Sequence, residues 1–469
     1  MKRLFHASFL ALALIGGLLL AGPFLRQVVS PTEPPIVLKL DVPGARAVPA
    51  ALAPAPESGT ESEPARSGPA EILFYERRLY QDHTDLVGLD LATGEEVLNV
   101  PNGQLTPDQD RMISTEVSGG KTTVNVLDLH GHELASQTLE GGYFIGRTSP
   151  DGRWLGLNPN FSASQLAGWQ NGKQTSMQIA VVDTTAQEPP RYVRVPGYFL
   201  MDGLSNDGGR LYLIENLPDP ITSRYWVRLY DMRTNTLIPD PVVEKGELDN
   251  PQPMSGVGLD FVFSPDGEWQ HTLYVLGQEG HPFIHALSLS SAAALCLDLP
   301  GDHQQPELET AYSIALSPFG QRLYAVNTAL QTVTAINMND FTMRSGALEE
   351  PAAYMPARLA GWLLPVASAG SPGAYVNNAA VVSPDGRTLY AGGPGGVWVI
   401  DTSSLKTRKV IRPGTDGDVV SLALDPAGAR LFGANYNLIQ SFDLAAGRDS
   451  ILVKDPGSII RLLGVIIRE

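Results

Sequence analysis

The strongest constraint on this chain is a short turn that returns seven times between apolar strands. It reads Thr106-Pro107-Asp108, Ser149-Pro150-Asp151-Gly152, Ser205-Asn206-Asp207-Gly208, Ser264-Pro265-Asp266-Gly267, Ser317-Pro318-Phe319-Gly320, Ser383-Pro384-Asp385-Gly386 and Asp425-Pro426-Ala427-Gly428. Proline presets φ, aspartate bonds its own backbone and glycine accepts a positive φ, so each is a tight turn. A second element is an alternating strand ending in aspartate or a close variant. It returns eight times, at Leu89-Asp90, Leu127-Asp128, Val182-Asp183, Tyr230-Asp231, Leu287-Ser288, Ile336-Asn337, Ile400-Asp401 and Phe442-Asp443.

One unit is therefore four strands: A, the proline turn, B, a variable loop, C, the aspartate turn, then D. A single such unit leaves an apolar face open, and radial stacking of many units buries every face. The first unit, Ile72 through Val100, has B, C and D but no A, while a spare strand, Ile459 to Ile467, follows the last complete unit. The arithmetic predicts an all-β propeller over 71–469, of eight four-stranded blades. The C-terminal strand would pair into the N-terminal blade and close the ring. Seven blades, with the first unit as a cap, is the alternative.

The segment Ser317 to Asn337, and Ser383-Pro384-Asp385-Gly386-Arg387-Thr388-Leu389-Tyr390 continuing to Val397–Thr402, resemble the YVTN and WD40-like propeller repeats. The first unit, Ile72 to Gly94, is similar to repeats of TolB-type exported propellers. The resemblance implies the fold. It leaves function open, because such families hold binding modules, surface proteins and lactonase-like enzymes.

Lys2 and Arg3 precede an apolar run to Gly22, so 1–23 reads as a signal peptide or a signal-anchor helix. Residues 24–70 are rich in Pro, Ala, Ser and Glu and read as a disordered linker. The expectation is an extracytoplasmic chain anchored to the cell membrane by this segment, or secreted after cleavage. Fifty acidic residues against 33 basic ones leave a net charge of −17, which disfavours nucleic acid as a partner. The single cysteine, Cys296, lies in an apolar run and is expected to be a buried, inert thiol.

In a four-stranded blade the A–B and C–D turns share one face, and the B–C and D–A connections share the other. Length variation falls on the second kind: 158–174, 215–224, 244–256 and 349–377. These loops and their edges carry Phe161, Trp169, Trp226, Tyr354, Arg358 and Trp362, with a short helix or lid expected over 356–364. Insertions gathered on one face of a repeat fold usually mark its binding face, and aromatics with arginine suit protein or glycan contact. His130 and His132 flank Gly131 on a turn and read as solvated. Gly392 to Gly396 reads as a tight connection, and the recurrent aspartates read as turn caps rather than catalysts. No catalytic residue, metal site or cofactor is expected. The reading is a binding or scaffold module for a protein or glycan of the cell envelope, with a lactonase-like hydrolase as the alternative.

Overall fold

The computed structural model describes residues 70–80, 83–170, 176–218, 224–243, 251–275, 281–301, 306–349, 379–413, 418–435, 438–454 and 458–468. Residues 1–69, which hold the expected signal segment and linker, lie outside these, as do Tyr354, Arg358, Trp362 and the helix expected over 356–364.

The described chain forms eight four-stranded antiparallel sheets. Blade 1 is Ala70–Tyr80 (β1), His83–Asp90 (β2) and Glu96–Pro101 (β3), with Ser458–Arg468 (β32) paired along β1. Blade 2 is Gly103–Leu105, Met112–Ser118, Lys121–Leu127 and Glu133–Glu140 (β4 to β7). Blade 3 is Tyr143–Thr148, Trp154–Pro159, Ser176–Asp183 and Arg191–Pro196 (β8 to β11). Blade 4 is Tyr198–Leu204, Arg210–Asn216, Tyr225–Asp231 and Thr236–Pro241 (β12 to β15). Blade 5 is Val257–Phe263, Trp269–Val275, Phe283–Ser288 and Ala294–Asp298 (β16 to β19). Blade 6 is Ser313–Leu316, Arg322–Asn327, Thr332–Asn337 and Met343–Ala347 (β20 to β23). Blade 7 is Ala380–Val382, Thr388–Gly393, Gly396–Asp401 and Thr407–Ile411 (β24 to β27), and blade 8 is Ser421–Leu424, Arg430–Asn435, Leu438–Asp443 and Arg448–Lys454 (β28 to β31). One helix, Ala163–Gln170 (α1), interrupts the B–C connection of blade 3. A single helical turn, Pro306–Glu309 (α2), sits between blades 5 and 6.

The sequence explains the layering. Middle strands pack against a neighbouring blade on both faces, so β18 and β25 are buried at every residue. Outermost strands such as β3 and β7 keep only isolated buried positions. The core is divided into eight large apolar clusters, one at each interface between neighbouring blades. At the junction of the two chain ends, Leu73, Tyr75 and Val87 of blade 1 pack with Phe432 and Ile439 of blade 8 and with Leu462 and Val465 of β32.

Both turn types do what their chemistry predicts. Asp90, Asp128, Asp231, Asp401 and Asp443 each use Oδ1 to accept two backbone N–H groups of the turn that follows. His130 and His132 lie on such a turn, and Gly393 to Gly396 closes the hairpin between β25 and β26. The expectation for Cys296 fails. Its strand, β19, is the outer edge of blade 5 and the thiol is exposed. The apolar run belongs to an edge strand, where alternate side chains face solvent.

Candidate functional site

The inner wall of the ring is unequal. The innermost strands of blades 6, 7 and 8 read Ser313-Ile314-Ala315-Leu316, Ala380-Val381-Val382 and Ser421-Leu422-Ala423-Leu424, and they pair without a break in register. Those of blades 1, 3, 4 and 5 each carry a bulge. Gly146 is the extra residue in β8, Asp202 in β12, Leu259 in β16, and Leu463 and Ile460 in β32. A bulge breaks the strict alternation of a strand and re-aims the side chains beside it. The charges of the inner wall sit at or next to these bulges: Arg147, Asp202, Asp260 and Arg461.

These groups meet across the ring. Arg461 Nη2 lies 3.4 Å from Asp260 Oδ1, linking β32 of blade 1 to blade 5 on the far side. The Arg147 guanidinium stacks 4.3 Å from the centre of the Phe261 ring, and its Nε donates to the Asp202 carbonyl (3.2 Å). Burial raises the Asp260 carboxyl, opposed by Arg461. Burial also raises the half-buried Glu76, opposed by Arg461 and reinforced by Asp260. Asp202 is pushed up to about 6 by burial, with Arg147 pulling the other way. It is 1% exposed, and neither carboxylate oxygen has a hydrogen-bond partner among the described residues. Behind it, burial brings His271 and His285 down to about 4, so both are neutral at pH 7. Among the described residues, no three His, Cys, Asp or Glu side chains converge to hold a metal ion.

Above this layer, on the tight-turn face, is a cavity of about 540 Å³. Its rim is built from the A–B turns of blades 2, 3, 4 and 5, and its floor includes Glu76, Phe261 and Arg461. The recurrent turns also pack on one another around the mouth. A Cβ at Gly320 would lie 2.5 Å from Pro265 Cδ, and one at Gly428 would lie 2.7 Å from Pro384 Cδ. Blade 4 has Asn206 in place of proline, and Asn206 Oδ1 accepts the N–H of Asp151 (3.0 Å).

Of the residues singled out from sequence, the described ones, Phe161, Trp169 and Trp226, lie at the opposite face. Phe161 is 8% exposed and belongs to the cluster between blades 3 and 4. Its ring sits 5.0 Å from that of Tyr198, and half-buried Trp169, on α1, tilts against the same Tyr198 ring at 5.1 Å. Trp226 is half-buried on β14, one residue from the B–C end of blade 4. Nearby, Arg228 pairs with Glu215. The structure thus joins Phe161 and Trp169 through Tyr198, a residue the sequence reading passed over. Nothing in sequence spacing marks the first residue of an innermost strand as an aromatic bridge. The inner-wall charges carry no sequence signal either, because bulges break the alternation of their strands.

No family model matches this chain, and no curated protein matches it. Among solved structures it is similar to apo AztD from Citrobacter koseri, at 12% identity and a TM-score of 0.51, over 86% of this chain and 99% of that one. A second structure of C. koseri AztD gives 12% identity and 0.50 over the same shares. A more distant likeness is a putative 6-phosphogluconolactonase from Bacteroides fragilis, at 14% identity and 0.41 over 85% of this chain and 98% of that one. Likeness to AztD at this identity shows a shared fold, and activity does not follow from it.

Proposed function

We propose that this protein is an extracytoplasmic binding or scaffold propeller, tethered through its N-terminal segment, that meets a protein or glycan partner with its loop-rich face. The reading rests on the aromatic step formed by Trp169, Tyr198 and Phe161 where α1 interrupts blade 3. An anchored ring with half-exposed tryptophans has the composition of a contact surface. Trp226, Tyr354, Arg358 and Trp362 extend the proposed surface. Immobilised protein should retain a defined envelope protein or an arrayed glycan, and Trp169→Ala with Trp362→Ala should weaken that retention about tenfold or more. Unchanged retention by the double variant would refute the loop-rich face as the contact.

A second reading, a lactonase-like hydrolase at the channel mouth, is favoured by one observation: Glu76 and Arg461 share the floor of the tight-turn cavity. Turnover of a lactone or ester panel that disappears in Glu76→Gln would establish it over the first. We also propose that β32 is the latch of the ring, on the strength of its pairing with β1 and of Leu462 and Val465 in the blade 8 interface.

A further inference from the structure

Blade 5 presents its thiol to solvent beside buried groups whose polar atoms are unmatched. Across β17, β18 and β19 the register sets Thr272 opposite His285 and His285 opposite Cys296, so these side chains share one face of the blade. Tyr274, two residues beyond Thr272, lies on the same face, and Tyr225 comes from β14 of blade 4. Both tyrosines belong to the cluster between blades 4 and 5. Cys296 is exposed, while His285 and Tyr274 are 1% exposed and Tyr225 is 4% exposed. Among the described residues, His285 Nε2 and the hydroxyls of Tyr225 and Tyr274 have no hydrogen-bond partner. The Tyr274 ring meets that of His285 edge-on at 6.2 Å and stacks with that of Tyr225 at 5.9 Å. Both phenols lie within electrostatic reach of Cys296. Buried polar atoms are seldom left unmatched, so three of them beside one thiol point to a charged species that forms there.

We propose that Cys296 is a site of covalent modification by thiol–disulfide exchange, its thiolate stabilised by the hydroxyls of Tyr225 and Tyr274 and by the imidazole of His285. The thiolate is the attacking species, and hydrogen-bond donors beside it favour the charged form. Burial keeps both phenols protonated, and therefore donors, and it keeps His285 neutral at pH 7. The opposing charges are Asp298, on the Cys296 face of β19, and Asp240, on the outer strand of blade 4. Both are exposed and screened by water. In the exchange, the Cys296 sulfur bonds to one sulfur of an incoming disulfide and the S–S bond of that disulfide breaks. The departing thiolate takes up the proton that Cys296 released. This sequence holds no second cysteine to displace the attached group, so the mixed disulfide persists until an external thiol removes it. The edge position of β19 leaves the attached group in solvent. This site is separate from the loop-rich face and stands or falls without it.

Treating the whole protein with hydroxyethyl disulfide tests it. Intact mass should show one adduct, which dithiothreitol removes and Cys296→Ser lacks. The rate of alkylation by iodoacetamide, which follows the thiolate, should rise with pH to a midpoint about one unit below the ordinary thiol value of about 8.5. Tyr225→Phe combined with Tyr274→Phe should raise that midpoint by about half a unit to one unit. The thermal midpoint should stay the same or rise, because an unmatched buried hydroxyl adds no stability. His285→Leu should raise the alkylation midpoint in the same direction, and His285→Gln, which keeps an N–H, should restore most of the difference. Three results would overturn the proposal: no adduct on the native protein, a midpoint no lower than that of the same chain unfolded in urea, or a midpoint unmoved by the tyrosine pair and by His285→Leu.

Discussion

Asp183 sits at the end of strand C in blade 3 with no exposed surface. Burial pushes its carboxyl up, but the Thr185 hydroxyl and N–H and the Arg153 guanidinium outweigh that and bring it below the usual range. A depressed carboxyl stabilises the fold above the unfolded-state value and loses that contribution as pH falls through the folded one. Asp183→Ala should therefore cost about 1–3 kcal/mol in urea unfolding at neutral pH, and the gap to the native protein should narrow below about pH 4. Asp202 works in the opposite sense. Its folded value, about 6, lies above the unfolded one, so its burden is present at neutral pH and lifts as the carboxyl takes up a proton. Asp202→Asn should stabilise the protein by about 1–3 kcal/mol near pH 7.5, with the gain fading by about pH 4.5. A gain equal at both pH values would show that the carboxylate is not held in the strained state described here.

At the scale of elements, β32 carries the most consequence. Leu462 is fully buried, and its N–H donates to Ser421 Oγ of blade 8 (2.8 Å), so the strand joins both neighbours of the seam. Leu462→Ala should cost about 2–4 kcal/mol. Deletion from Ser458 onward should lower the thermal midpoint further and expose β1 as an unpaired edge, read as aggregation on heating. The missing A strand of the first unit and the spare strand at the end of the chain were both plain in the sequence, because each blade repeats the same local chemistry. The turn glycines were legible only in part. Gly320 has φ +70, which the sequence predicts, but it also abuts Pro265 of the preceding blade, which no local pattern shows. Gly320→Ala should accordingly cost about 1–3 kcal/mol. Gly119→Ala, with φ +59 but nothing within 4 Å, should cost only the backbone part, about 1 kcal/mol. Equal losses would remove the packing role of the turns.

Over the whole molecule, the blade count followed from repetition, whereas the charged inner wall did not. Glu76, Arg147, Asp202, Asp260 and Arg461 come from four blades spread over the length of the chain, and bulges break the alternation that would have marked them as inward-facing. Loop length pointed to the loop-rich face because long connections are visible in a sequence. Concavity is not, and the cavity formed where every connection is short. One detail of the seam bears on the tether we propose. Ala70, the first described residue, lies opposite Arg468 at the tight-turn end of blade 1. If the tether we propose holds the ring from that end, the cavity faces the bilayer and the aromatic step faces the surroundings. In a Cys296→Ser background, a fluorophore at Phe319→Cys, on the tight-turn face, should be dimmed by a quencher in the supporting vesicle far more than one at Trp169→Cys.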